Sequence, residues 1–271
     1  MPAKFEKILK EKVRLNEEAP AQFLGSVEKL QNSLFTDLLG DTSQMALDEK
    51  GNIKLTDANL AKAKKATRDL AKALHGDEYT KAVRTLAGEF DTQHALTNDY
   101  FKEVFGGDFI LKDIYKKQYG LAKGMAMQEL SKDVVSKVFT SQIEKALTNS
   151  VLIEQSFADI SKQLKQMVLG GEAGDSSLLR HLKRVVRDSF NVTDRKYVEL
   201  VAEDIEAKWY RFSGGTVGDS REFCVKRAGH YYHIDEVRKW GTLSPWAGRS
   251  SETNSSTIFS LLGGYNCMHI L

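Results

Sequence analysis

The distribution of proline constrains the fold of this chain more than any other feature. The 271 residues include three prolines, at positions 2, 20 and 245, and the long stretch between Pro20 and Pro245 has none. Proline costs about 3 kcal/mol in a helix interior, because it lacks a backbone N–H and its ring clashes with the preceding turn. A proline-free stretch of this length is typical of a largely helical chain.

Hydrophobic periodicity supports the same interpretation. Between Phe23 and Leu38, apolar residues recur every three or four positions, which places them on one face of a helix. The segment 47–60 interrupts this pattern with a Lys-Gly turn, an extended pair at Ile53 and Leu55, and Thr56 or Asp57 as a helix N-cap. Further helices are predicted at about 58–74, 78–105 (with a break near Asp91), 110–119, 121–148, 151–169, 176–190 and 194–212, with an internal loop at 170–177.

The character of the sequence changes near Phe212. Both cysteines, two of the three tryptophans and a high density of glycine follow this residue, and short apolar runs replace the helical stripes. We therefore predict a mainly α protein with a long-helix body at 1–212 and a small, turn-rich α+β module at 213–271. The stripe of the last body helix continues to Trp209 and Phe212, which we assign to that helix. The aromatic residues expected in the core of the module are Tyr231, Tyr232, Trp240, Trp246, Phe259 and Tyr265.

Composition narrows the class of protein. The formal net charge is +2, with both signs spread along the chain, so that an extended basic coat for nucleic acid is not indicated. Two cysteines do not make a disulfide framework, and they suit assembly in a reducing cytosol. We find no apolar run of the length of a signal peptide or a membrane span, and we expect neither.

The last module collects the residue types that bind zinc. Cys224 and Cys267 lie at opposite ends of it, so a single ion would join both ends. Zinc prefers four nitrogen or sulfur donors in a tetrahedron, and it stabilises small modules that bury little apolar surface. The candidate ligands are Cys224, His230, His233, Cys267 and His269.

Several interpretations of these residues remain open from the sequence. The spacing C-x5-H-x2-H, followed by a distant C-x-H, does not match a standard zinc finger. The alternatives to zinc are two buried free thiols with ordinary polar histidines, or a Cys224–Cys267 disulfide. Nucleophilic catalysis by Cys224 is a further alternative, and it requires a base within hydrogen-bonding distance of the thiol.

A basic row marks the segment 177–190. Its cations recur at i, i+3, i+4 and i+7, and apolar residues occupy the other side of the same helix. Such a row suits packaged DNA or an acidic protein surface, and the alternative is an ordinary solvated helix face. The cations are Arg180, Lys183, Arg184 and Arg187, and the apolar residues are Leu179, Leu182, Val186 and Phe190.

An ordered succession of short motifs runs through the last module. The motifs are D-S-R-E-F-C at 219–224, G-H-Y-Y-H at 229–233, E-V-R-K-W at 236–240, W-A-G at 246–248, T-I-F at 257–259 and G-G-Y-N-C-M-H at 263–269. This succession resembles the C-terminal domain of tailed-phage head morphogenesis proteins, the minor capsid proteins similar to protein F of phage Mu. Members of this family have an Arg between the final Cys and His, where this chain has Met268.

The resemblance implies a minor structural protein of the virion that is not an enzyme. Such a protein is assembled in the cytoplasm of the host bacterium and joins the head near the portal in several copies. Its partners are the portal, other capsid proteins and packaged DNA, and it stays in the capsid or is ejected with the DNA. Some members hold zinc in this domain, for which Asp219 or a histidine would complete the ligands here. The alternative functions are a Cys/His hydrolase or transferase, with or without zinc, and a DNA-binding module.

Overall fold

The chain folds as a mainly α protein, as predicted. The computed structural model describes residues 3–106, 112–171, 174–218, 220–265 and 267–271. Helices account for 69% of the chain, and the described residues form one antiparallel two-stranded sheet. The helices are α1 Ala3–Ser43, α2 Asp57–Leu74, α3 Asp77–Phe105, α4 Asp113–Glu129, α5 Lys132–Leu152, α6 Phe157–Val168, α7 Ser177–Asp204, α8 Glu222–Val225, α9 Ile234–Trp240 and α10 Ile258–Leu261, and the strands are β1 Trp209–Arg211 and β2 Tyr231–His233.

Several predicted helix boundaries are wrong. Helix α1 continues through Pro20, and α3 passes Asp91 without a break. Gly120 lies inside α4, and the chain instead leaves the helix between α4 and α5. Residues 110 and 111, where a helix start was predicted, lie outside the described residues. Glycine lowers helix stability by only about 1 kcal/mol, so tertiary packing overrides it readily.

The observed bounds of helix α7 differ from a second group of predictions. The expected break between residues 190 and 194 does not occur. Within the continuous helix, the Asn191 side-chain amide donates to the Arg187 carbonyl at 2.9 Å. The helix ends at Asp204, ahead of the predicted end at 212. Trp209 therefore lies in strand β1, and Phe212 follows that strand in a buried position. The apolar spacing at 198–212 fits a helix, but the final part of it forms a strand.

The chain divides into two compact units, each described here by itself. The first unit contains Met1–Ala21, Leu86–Met127 and Lys183–Leu271, and the second contains Gln22–Thr85 and Gln128–Leu182. Helices α1, α3, α4 and α7 each contribute residues to both. The predicted module at 213–271 belongs to the first unit, together with helical residues that precede it. None of the helices among the described residues has the length and apolarity needed to cross a membrane.

The segment 47–60 organises one end of the second unit. Thr56 caps helix α2 by accepting a hydrogen bond from the Asn59 N–H, as predicted. Ile53 is fully buried, and its N–H donates to the Gln155 carbonyl at 3.0 Å. Asn59 is buried as well, and its side chain makes three bonds to the backbone of Ala46 and Lys54. The extended excursion thus docks onto α2 and the loop before α6.

A hydrophobic core lies in the C-terminal part of the first unit. Trp240 and Phe259 are buried in it, and Tyr232 and Trp246 pack against it, as predicted. Tyr231 and Tyr265 are 54% and 43% exposed, so their assignment to the core is wrong. The core residues are Ala202, Tyr210, Phe212, Phe223, Cys224, Val237, Trp240, Ile258, Phe259, Leu262 and Cys267. This core therefore recruits residues from α7 and β1 that precede position 213.

Candidate metal centre

The two cysteines meet inside this core, together with one histidine. Cys224 lies on the short helix α8, and Cys267 and His269 lie on the last segment of the chain. The sulfur atoms are 3.9 Å apart, and the Cys267 sulfur lies 3.7 Å from Nδ1 of His269. All three side chains are buried, and their donor atoms lie within 4.8 Å of one another. The predicted proximity of the two thiols is confirmed.

Main-chain pairing positions the last segment. Ser213 and Ile270 exchange two backbone hydrogen bonds of 2.8 Å each, which form an antiparallel bridge directly after β1. The Arg221 guanidinium, just before α8, donates to the Tyr265 carbonyl at 2.6 Å. The first contact joins the end of the chain to the segment after β1, and the second joins it to the residue that precedes α8 and Cys224.

Arg195 is the residue that sequence reasoning missed. This buried side chain on α7 donates to the carbonyl of His269 at 2.7 Å and to that of Ser260 at 3.0 Å, and it also bonds the carbonyl of Cys267. Its rigid planar fork satisfies three carbonyls that would otherwise be buried without partners. The sequence offered no signal for it, because Arg195 stands between two other charged residues, Asp194 and Lys196, in a helix with many charges.

Two glycines create the space for the cluster. A Cβ at Gly263 would lie 2.5 Å from the Cys224 sulfur and 3.0 Å from the Cys267 sulfur. A Cβ at Gly214 would lie 2.8 Å from Cδ2 of His269, and this glycine also has a φ of +136°. The two sulfurs therefore pack against Gly263, and the imidazole of His269 packs against Gly214. Both glycines therefore allow close packing that a larger residue would prevent.

The environment of the imidazole leaves one nitrogen without a partner. Its ring lies 4.9 Å from that of Phe212, and Nδ1 faces the Cys267 sulfur. Nε2 is buried and has no hydrogen-bond partner among the described residues. A histidine that binds a metal through Nδ1 normally donates its Nε2–H to an acceptor. An acceptor for this bond would lie beside Nε2 of His269.

The two thiols share one proton more easily than they hold two charges. The hydrogen bond between the two sulfurs lowers the pKa of Cys267, and the Arg195 guanidinium and His269 add to that effect against the cost of burial. The same hydrogen bond and burial raise the pKa of Cys224. The pair thus favours one thiolate at Cys267, and thiolates are the form of cysteine that binds metals.

Two of the three donor separations are close to those of a tetrahedral zinc site. With Zn–S bonds of about 2.3 Å and Zn–N bonds of about 2.0 Å, tetrahedral angles require S···S near 3.8 Å and S···N near 3.5 Å. The observed separations are 3.9 Å and 3.7 Å. Three donors are present among the described residues, and Asp219, which the resemblance offers as a fourth, lies outside them. A disulfide would bring the sulfurs to about 2.05 Å, and both cysteines are free here.

The other two predicted ligands lie elsewhere on the first unit. His230 is exposed in the turn before β2. His233 is half-buried and caps helix α9, where its ring accepts from the Asp235 N–H at 3.4 Å. It also contacts the ring of Trp209 at 5.3 Å. Among the described residues, the cluster therefore consists of Cys224, Cys267 and His269.

The basic row on α7 is only partly exposed. Arg180 and Arg184 are exposed, whereas Lys183 and Arg187 are half-buried. Arg180 belongs to the second unit and the other three cations to the first. The apolar residues opposite them, Leu179, Leu182, Val186 and Phe190, are all buried as predicted.

Comparison of this chain with family models, with curated proteins and with solved structures finds no match.

Proposed function

We propose that this chain is a minor structural protein of a tailed-phage head, which joins the assembling particle near the portal in several copies. Its last module would serve as a compact anchor that a structural zinc ion closes. The long helices α1, α3 and α7 would provide surfaces for the portal and other capsid proteins, since amphipathic helices bind partner helices through their apolar faces.

One observation supports this assignment above others. The motif segments that carry the resemblance meet in a single core, although they are spread over residues 219–269. Each segment contributes a residue to the core or packs against it, so the pattern has a common structural cause. These residues are Phe223 and Cys224, Tyr232, Val237 and Trp240, Trp246, Ile258 and Phe259, and Cys267.

The zinc proposal is supported by the geometry of the cluster. Cys224, Cys267 and His269 would hold the ion, which would act structurally because all three ligands are buried. It would tie helix α8 to the end of the chain and favour both thiolates. Zinc adds folding free energy to small domains whose apolar core is limited.

The assignment to the virion is tested by quantitative mass spectrometry of purified particles from the phage that encodes this chain. We expect peptides of the chain at a fixed ratio to portal peptides, in particles washed free of host protein. Empty heads serve as a control and distinguish retention in the capsid from ejection with DNA. Detection of the portal without this chain would contradict the assignment.

The zinc proposal has its own test, whose outcome does not depend on the first. Metal analysis of the purified chain should give about one zinc per molecule, and Cys224→Ser should remove it. His230→Ala is the matched control, because this exposed histidine lies in the same module and outside the cluster. Zinc content near zero, with an unchanged melting temperature in chelator, would contradict zinc and leave the virion assignment standing.

A further inference from the structure

The outer face of the small sheet is unusually apolar for an exposed surface. Side chains alternate along β1, so that Tyr210 points into the core while Trp209 and Arg211 point outward. Trp209 is 66% exposed and Tyr231 54% exposed. The Arg211 guanidinium lies over the Tyr231 ring at 5.8 Å, and His233 contacts Trp209. Exposed aromatic side chains arranged in this way mark interaction sites more often than scattered ones do.

One edge of β1 has backbone groups that no strand pairs. The Ile234 N–H donates to the Lys208 carbonyl at 2.8 Å, and the Phe212 N–H donates to the His230 carbonyl at 3.0 Å. Backbone groups alternate in direction along an antiparallel strand, so the intervening residues Trp209 and Arg211 direct theirs to the opposite edge. Within the described residues the sheet has two strands, so no strand pairs this edge at either position. The Arg211 carbonyl accepts one bond there, from the Ser213 hydroxyl at 3.4 Å.

The open edge already carries the start of a third strand. Ser213, the next residue with the same orientation, exchanges both of its backbone bonds with Ile270. An extended segment in line with Ile270 would run antiparallel to β1 and meet Arg211 and then Trp209. The Ser213–Ile270 pair thus indicates the register in which such a segment would align with β1.

A cleft of about 430 Å³ adjoins this edge, and its whole lining belongs to the first unit. Its walls come from the first turns of α1, the end of α3, the end of α7, strand β1 and the last two residues. Most of the lining side chains are apolar or aromatic, among them Phe5, Phe101, Val198, Ala202, Ile205 and Leu271. Val104 and Phe105 at the rim are 42% and 48% exposed.

The charged side chains that line the cleft favour the binding of a carboxylate group. Lys12 is paired with the buried Asp194 at 3.1 Å, and Glu103 is paired with Lys4 at 2.6 Å. Arg211 also lines the cleft, and it forms no ion pair with a described residue. Among the described side chains that line the cleft, the Arg211 guanidinium is therefore the charged group without an ionic partner, and it lies next to the unpaired edge.

We infer that the first unit binds an extended peptide segment of a partner protein, which adds to the open edge of β1 as a third strand. The segment is apolar at alternate positions and has an acidic residue opposite Arg211. Residues directly opposite share a face in an antiparallel pair, so this carboxylate would reach the guanidinium. The alternate side chains would point to the other face, toward Val198, Ala202 and Ile205.

A peptide suits these features better than a nucleic acid does. The unpaired N–H and C=O groups of a strand edge are satisfied by another backbone, and nucleic acids offer no matching series of amides. Binding along a phosphate backbone depends on several cations, whereas the cleft has one without a partner. The inference rests on neither the zinc site nor the assignment to the virion.

Fluorescence anisotropy with the full chain tests the inference. The probe is a labelled eight-residue peptide of alternating valine and glutamate, called the Val/Glu peptide. In one comparison peptide, lysine replaces every glutamate. In the other, the backbone nitrogens that would face β1 are methylated. We expect the Val/Glu peptide to bind at least about tenfold more tightly than either comparison peptide. Arg211→Glu should invert the preference between glutamate and lysine, whereas Arg238→Glu, an exposed arginine on α9, should not.

Intrinsic fluorescence gives a second readout. Trp209 is the most exposed tryptophan, and Trp240 is buried, so binding should shift the emission to shorter wavelength, and Trp209→Phe should abolish the shift. No binding of the Val/Glu peptide up to about 1 mM would overturn the inference. Equal affinity of the backbone-methylated peptide, or displacement of the bound peptide by single-stranded oligothymidine at lower concentration, would also overturn it.

Discussion

At the scale of single residues, this protein uses polar and small side chains to hold backbone in place. Arg195 is buried, yet its partners are main-chain carbonyls of α10 and the last segment and not an acidic side chain. Gly263 lies against both sulfurs, so that a larger residue there would force at least one sulfur to move. The close approach of Cys224 and Cys267 therefore depends on Arg195 and Gly263, which are not metal ligands themselves.

Gly263→Ala should destabilise the C-terminal core. The new methyl group would lie 2.5 Å from one sulfur and 3.0 Å from the other, and overpacking of this kind typically costs about 1–3 kcal/mol. Urea denaturation followed by tryptophan fluorescence measures the loss, since Trp240 and Trp246 belong to this region. Gly215→Ala is the matched control, because a Cβ there meets nothing within 4 Å. Equal stability of the two variants would show that the sulfurs do not rest on Gly263.

At the scale of elements, short irregular segments determine where helices begin and how they dock. The segment 47–60 closes on itself through the Leu47–Ile53 bridge, and it pairs with the loop before α6 through the Asn52–Ser156 bridge. Thr56 caps α2, and Asn59 in the first turn binds the same segment through its side-chain amide. Helix α2 is thus linked to the segment at its cap and again through Asn59.

Asn59→Ala should cost more stability than Thr56→Ala. Loss of an N-cap hydroxyl typically costs about 1 kcal/mol. Asn59 is fully buried, and its side chain accepts from the Ala46 N–H and donates to the carbonyls of Ala46 and Lys54. Its removal would leave the Ala46 N–H and the Lys54 carbonyl without these partners in a partly buried place, at about 1–3 kcal/mol each, whereas the Ala46 carbonyl keeps its bond from the Lys54 N–H. Chemical denaturation of both variants and of the wild type gives the comparison. A larger effect for Thr56→Ala would contradict the role assigned to Asn59.

At the scale of the whole molecule, the first unit is unusual for the polar groups inside its helical part. Gln93 donates to Asn16 at 2.7 Å, and Thr97 donates to Asp194 at 2.8 Å. Asp194 also pairs with Lys12, and both side chains are almost fully buried. Burial of such groups costs free energy unless they are paired, so each pair restricts how α1, α3 and α7 align within this unit.

The stability of the protein should fall as pH drops from about 7 to 5. Burial lowers the pKa of His94, and the charges of Asp91, Lys116 and Asp194 act on it as well. The unfolded chain therefore binds a proton first, and the stability from the neutral folded histidine is present above pH of about 6.5 and is lost as pH falls below that value. Thermal unfolding against pH measures this dependence.

His94→Gln should flatten that pH dependence, because it removes the group whose pKa differs between the folded and unfolded states. His230→Gln is the control, since this histidine is exposed in the same unit. A slope between pH 7 and 5 that persists unchanged in His94→Gln would assign the dependence to other groups.

The sequence by itself determined the helical class, the cap of α2 and the buried faces of the helices, since these follow from local periodicity and local hydrogen bonding. Only the tertiary structure decided the candidate site. Cys224 and Cys267 are 43 residues apart, and Arg195 and His269 are 74 apart. Contacts at such separations depend on the paths of glycine-rich turns, which leave no periodic signal. The strand at Trp209 escaped prediction for a related reason: its apolar spacing also fits a helix, and pairing with β2 selects the strand.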